Sequence, residues 1–127
     1  MIAHTRGAAA YRKVDAQSRS PLELVVMLYD GVLARLTEAG AAAARNDLPA
    51  RGLAVSKALA IVTSLQDTLN VEQGGAVASE LDRLYTYASQ RLLDVTLKKD
   101  ISGIQEVHSL LAQLRDSWQQ IAREGTA

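Results

Sequence analysis

The chain holds two histidines, His4 and His108, and no cysteine. With their neighbouring carboxylates, these are the residues whose types could bind a metal or move a proton. A di-iron bundle needs Glu-x-x-His on two helices, with further carboxylates turned inward. Here Gln105 stands three residues before His108, and Glu106 stands two before it, on a different helical face. His4 lies in a polar N-terminal stretch with no such partner. The missing cysteine removes disulfides and thiolate chemistry. Gly74-Gly75 lacks the glycine spacing and the lysine of a phosphate loop. A single helical histidine with no nucleophile placed beside it does not make a Ser-His-Asp set. The pattern implies no enzyme, no metal site and no cofactor. His108 reads as a boundary residue with one face wet rather than a pH switch. Lys98-Lys99 reads as a solvated helix end, where cations suit the dipole.

What the spacing does support is packing, and it begins at Ser20-Pro21-Leu22-Glu23. Ser20 and Glu23 form a capping box, and Pro21 suits the first helical turn. The stripe that follows is Leu22, Val25, Val26, Tyr29, Val32, Leu33 and Leu36. At 100° per residue, Leu24, Met27 and Leu28 fall on the other side, where a surface helix normally carries charge. This second apolar face needs another segment of the chain or a partner. An N-terminal arm can cover it permanently, or only until a partner arrives. Gly31 lies on the same side and reads as a place where an extra segment approaches closely.

Three more helices follow. One runs from about residue 48 to 70, with Asp47 as its cap and Pro49 in its first turn. Its stripe is Ala54, Val55, Ala58, Leu59, Ile61, Val62, Leu65 and Leu69. Gly74-Gly75 marks a loop. The next runs from about 76 to 98, with Val77, Leu81, Leu84, Tyr85, Ala88, Leu92 and Val95 inward. Leu93 and Leu97 point off that stripe, a further apolar surplus. Tyr85 and Tyr87 cannot share a face, so Tyr85 is placed at the core edge and Tyr87 half in water. Asp100 caps a last helix to about 123, with Ile104, Val107, Leu111, Leu114, Trp118 and Ile121 inward. Short connections make neighbours antiparallel. The expected fold is all-α: an up-down-up-down four-helix bundle over residues 21–124, preceded by a mobile arm over 1–20.

Composition agrees with one domain of 127 residues. Fourteen basic and fourteen acidic residues cancel, which argues against non-specific nucleic-acid binding. The longest unbroken apolar run, Leu24 to Tyr29, is far too short to span a bilayer, so no membrane insertion is expected. A cytosolic location is the default.

The residues then line up with a known pattern. It starts at Ala10-Tyr11 and continues through Ser20-Pro21-x-x-Leu24-x-x-Met27-Leu28-Tyr29-Asp30-Gly31. Leu65, Leu69 and Gly74-Gly75 follow, then Leu81-x-x-Leu84-Tyr85-x-Tyr87. Arg91-Leu92, Lys98-x-Asp100 and Leu110-x-x-Leu114-Arg115-x-x-Trp118 complete it. In this order the chain resembles the FliS family of flagellar secretion chaperones over nearly its whole length. It departs at Val95-Thr96, where the family pattern carries Ala-Asn.

The resemblance implies a four-helix chaperone without ATPase activity. Its client would be the C-terminal segment of flagellin, disordered alone and folding partly into helix in the chaperone's grooves. Covering that segment would prevent premature polymerisation. The complex would then pass to the membrane export gate of the flagellar type III apparatus. The partner-binding residues expected here are Tyr11, Leu24, Met27, Leu28, Gly31, Leu93 and Leu97. The alternatives are a chaperone of another flagellar export substrate and a self-associating bundle. In the latter, a weak homodimer would bury Leu24 and Leu28 against their copies.

Overall fold

The computed structural model describes residues 21–126, and these form four helices. They are α1 (Pro21–Ala44), α2 (Leu48–Asp67), α3 (Val71–Leu97) and α4 (Ser102–Thr126). No strand occurs among the described residues. Residues 1–20, and with them Tyr11, the Ser20 cap and the expected arm, lie outside the described residues.

Local chemistry sets the helix ends. Asn46 takes a left-handed φ of 57°, a conformation asparagine tolerates. The Asp47 N–H then reaches back to the Ala42 carbonyl at 2.9 Å, and the Asn46 N–H to Ala43 at 3.1 Å. This closes α1 with the paired bonds of a Schellman turn. The Asp47 carboxylate accepts the Ala50 N–H at 3.1 Å and so caps α2, as its sequence predicts. The Gly74-Gly75 pair is a kink rather than a loop. Gly75 alone leaves helical geometry, at φ 56° and ψ −130°, and α3 starts four residues before it at Val71. Only glycine adopts such a conformation freely.

The helices form a ring. α1 packs against α2 and α4, and α3 packs against the same two. Each runs antiparallel to its neighbours, so the ring is the expected bundle. At its centre Tyr29, Tyr85, Leu36, Leu65, Leu92 and Leu111 are fully buried. Tyr85 thus sits in the core, not at its edge. Its hydroxyl meets that of Tyr29, and the Trp118 indole N–H donates to Tyr29 Oη at 3.3 Å. Three aromatic residues from α1, α3 and α4 therefore share one buried polar knot. This satisfies groups that would be costly to bury alone. α2 is the one described helix long and apolar enough to cross a membrane by length and composition. Its Val55, Ala58, Val62 and Leu65 instead fill the bundle core.

Gly103, in the first turn of α4, is the tightest glycine. A Cβ built there would lie 2.8 Å from the Arg91 carbonyl oxygen and 3.2 Å from Val95 Cγ2. The first neighbour is backbone and cannot swing away. Gly103→Ala is expected to destabilise the bundle by about 1–3 kcal/mol, the usual cost of overpacking. A lower urea midpoint with unchanged m value will show it.

Candidate partner-binding surface

The core is complete without several large apolar side chains, and these stay outside. Met27 is 50% exposed, Leu93 45% and Leu97 75%. All three were expected to face a partner. Leu24 is half-buried. Leu28 is also half-buried and packs in part against the core, so it serves the fold as well as the surface. Gly31 lies against α2: a Cβ there would meet Ile61 Cδ1 at 3.5 Å, an ordinary contact. The close approach expected at Gly31 is therefore not needed by the packing of the described helices. Among the described glycines, the tight backbone approach is at Gly103.

The predicted residues do not converge on one patch. Met27 is on α1 and lines a groove with Val26 and, from α4, Gln119 and Ala122. Leu93 and Leu97 are on α3, across the ring from α1. They form an i, i+4 pair on one helical face. The sequence reading missed Leu48, Leu53 and Ile101, which are exposed as well. Leu48 and Leu53 precede the α2 stripe, and their position off it was the available signal. Ile101 stands in the α3–α4 turn, where periodicity says nothing. With Leu93 and Leu97, these three gather where α1 and α3 end and α2 and α4 begin. That end lies about 25 Å from Met27, at 1.5 Å per residue along α1.

Beside this apolar end sits a charged fastener. Arg91 of α3 is only 17% exposed and pairs with Glu106 at 2.6 Å, Asp100 at 3.0 Å and Asp94 at 3.5 Å. Its guanidinium also donates to Ser102 Oγ at 3.2 Å. Tyr87, expected to leave its hydroxyl in water, donates it to the Glu106 carboxylate. The Tyr87 bond, then Arg91, hold the Glu106 carboxyl below the usual carboxylate range. The Ser102 hydroxyl, then Arg91, do the same for Asp100. Glu106 and Asp100 in turn push the Arg91 pKa up. The Tyr87 pKa is raised because its hydroxyl bonds a carboxylate.

These shifts fix a sign. The unfolded chain's carboxylates titrate near pH ~4 and so take up protons before the folded chain's do. The fastener's contribution is complete above that range. It is lost as pH falls through the lower folded values. The melting temperature is expected to fall between about pH 5 and pH 3, with a shallower fall in Glu106→Gln. Circular dichroism melts across that range will measure it.

On the opposite side, Asp30 of α1 accepts a bond from Arg115 Nε of α4 at 2.8 Å. Between the same two helices, His108 Nε2 lies 3.5 Å from Thr37 Oγ1 and is half-buried, as a boundary residue should be. Among the described residues no cluster of histidine and carboxylate side chains could hold a metal ion.

Comparison with known proteins gives these surfaces their context. The family model described as "Flagellar protein FliS" matches residues 4–125. The flagellar secretion chaperone FliS of Salmonella typhimurium is 37% identical over 121 residues, 91% of this chain and 90% of that protein. FliSB of Pseudomonas aeruginosa, also named a flagellar secretion chaperone, is 34% identical over 116 residues, 88% of this chain and 92% of its own. Bacillus subtilis FliS is 29% identical over 111 residues, covering 87% and 82%. These matches run over most of each chain and so extend well beyond a shared motif. The chain belongs to the FliS family of flagellar secretion chaperones, a non-enzymatic family.

Proposed function

We propose that this export chaperone binds the C-terminal segment of flagellin in the cytosol, keeps it from polymerising, and delivers it to the flagellar type III export gate. The observation that carries the reading is the surplus of exposed apolar side chains, Met27, Leu93 and Leu97 foremost, on a bundle whose core is already full. A disordered client loses conformational entropy when it orders. It needs a long apolar surface to offset that loss. Exposed residues on two sides of a ring suit a chain that wraps rather than one that plugs a single hole. Leu24 and Leu28 add half-buried area beside Met27, and Gly31 keeps that strip of α1 low.

The test is flagellin assembly followed by light scattering. Seeded flagellin monomer with an equimolar amount of the chaperone is expected to stay monomeric. Filament growth at the rate seen without chaperone contradicts the reading.

Residues 1–20, with Tyr11, are proposed as a cover for the same surface in the empty protein. Deleting residues 1–18 is then expected to leave the bundle folded and change the client's affinity, as read by titration. Unfolding on deletion would instead make the segment structural.

A further inference from the structure

We propose that the end of the ring where α1 and α3 stop and α2 and α4 start is a contact for an anionic membrane surface. This goes beyond client binding and is tested without a client. The α3–α4 turn reads Leu97-Lys98-Lys99-Asp100-Ile101, two apolar residues around two lysines. Lys99 takes a left-handed φ of 58°, and the Asp100 N–H returns to the Asp94 carbonyl at 3.2 Å. α3 therefore ends in a tight turn rather than a long loop. Leu48 opens α2 at the same end. Arg51, one turn on, donates to the Val95 carbonyl at 3.5 Å, which puts the first turn of α2 beside the last turn of α3. Leu48 is 57% exposed, Leu97 75% and Ile101 50%. Each stands at a helix end or in a turn.

The acidic groups at this end are engaged by cations, and the lysines are largely free. Asp47 caps α2 and pairs with Arg45 at 3.4 Å. Asp94 and Asp100 are drawn to Arg91. Lys98 reaches Asp94 only at 3.7 Å and stays 75% exposed. Lys99 is exposed, and no ion pair engages it among the described residues.

Exposed apolar side chains with lysines between them have the chemistry of a bilayer interface. Leucine and isoleucine enter the acyl boundary, while the lysine heads stay with the lipid phosphates. The cytoplasmic leaflet supplies the matching negative charge. A second copy docked end to end is disfavoured, because it sets Lys98 and Lys99 against their own copies. Three apolar side chains and two lysines make a weak, reversible contact, far short of an anchor. Such a contact suits the delivery step proposed above.

Sedimentation of the full chain with lipid vesicles tests the proposal, with each variant checked by thermal melting. The wild-type chain is expected to sediment with vesicles of phosphatidylcholine and phosphatidylglycerol, not with pure phosphatidylcholine, and to come off in high salt. Each lysine at such a surface contributes about fivefold, so Lys98→Gln with Lys99→Gln is expected to weaken binding about 25-fold. Ile101→Ser is expected to weaken it about tenfold through lost apolar burial. Leu48→Ser repeats that test if Ile101→Ser melts below wild type. Equal binding to neutral vesicles, or no binding to either kind, overturns the proposal. Wild-type binding by the lysine and Ile101 variants, lost on deleting residues 1–18, would move the contact to the N-terminal segment and overturn it too. Absent vesicle binding, with weakened flagellin-segment binding in the lysine variant, would give this end to a protein partner and leave the chaperone reading standing.

Discussion

Met27→Glu is expected to weaken flagellin-segment binding by about 30-fold or more without lowering the melting temperature. Met27 is half exposed, so a carboxylate there stays hydrated in the free protein. In the complex the same carboxylate would sit under client side chains and lose that water. The cost falls on the bound state alone. Leu28→Glu is the less clean choice, because Leu28 also packs against the core. Its loss of binding would be mixed with loss of fold. Leu97→Glu, at the most exposed large apolar residue, tests the α3 side in the same way. Fluorescence titration of a labelled client segment, paired with a melt of each variant, separates the two effects. A variant that binds like wild type removes that residue from the surface.

Tyr29→Ala is expected to cost about 3–5 kcal/mol, the largest loss from a single change in this bundle. The side chain is fully buried among four helices, so its removal leaves a cavity. It also takes one hydrogen-bond partner from Tyr85 and one from Trp118. Tyr29→Phe isolates that second effect and should cost about 1–2 kcal/mol. Urea unfolding of the two variants against wild type measures both. A domain's total stability is about 5–15 kcal/mol, so Tyr29→Ala leaves little of it. If Tyr29→Phe were neutral, the knot would contribute packing alone.

Four helices were legible because each carries a stripe at helical spacing, and α2 also a cap that chemistry dictates. Val25, Tyr29, Val32 and Leu36 on α1 are buried as their spacing requires. Asp47 caps α2 as its position before Pro49 suggests. Periodicity reports faces, however, not depth. It put Tyr85 on the inward stripe of α3 but only at the core edge. The structure buries it because Tyr29 supplies the polar partner from 56 residues away. Gly103 was invisible for a similar reason: what it must admit is the Arg91 carbonyl, on another helix.

The same distinction separates the buried part of the family pattern from the candidate surface. Asp30 meets Arg115, Arg91 meets Asp100, and Tyr29 meets Tyr85 and Trp118. Motif pieces scattered along the chain are neighbours in space, and they hold helices to one another. Part of the resemblance is thus carried by fasteners. The surface candidates were found by a different signal, apolar residues left off the stripe. That signal found Met27, Leu93 and Leu97. It missed Ile101, which lies in a turn and has no stripe to be off.

We propose that this bundle folds a disordered flagellin tail onto its surface. Isothermal titration calorimetry of the full chain against the C-terminal ~40 flagellin residues, repeated at several temperatures, tests it most directly. One-to-one binding with a strongly negative heat-capacity change is expected, the mark of apolar burial coupled to folding. A folded chaperone that gives no binding heat at any temperature, and leaves the tail disordered by circular dichroism, would contradict it.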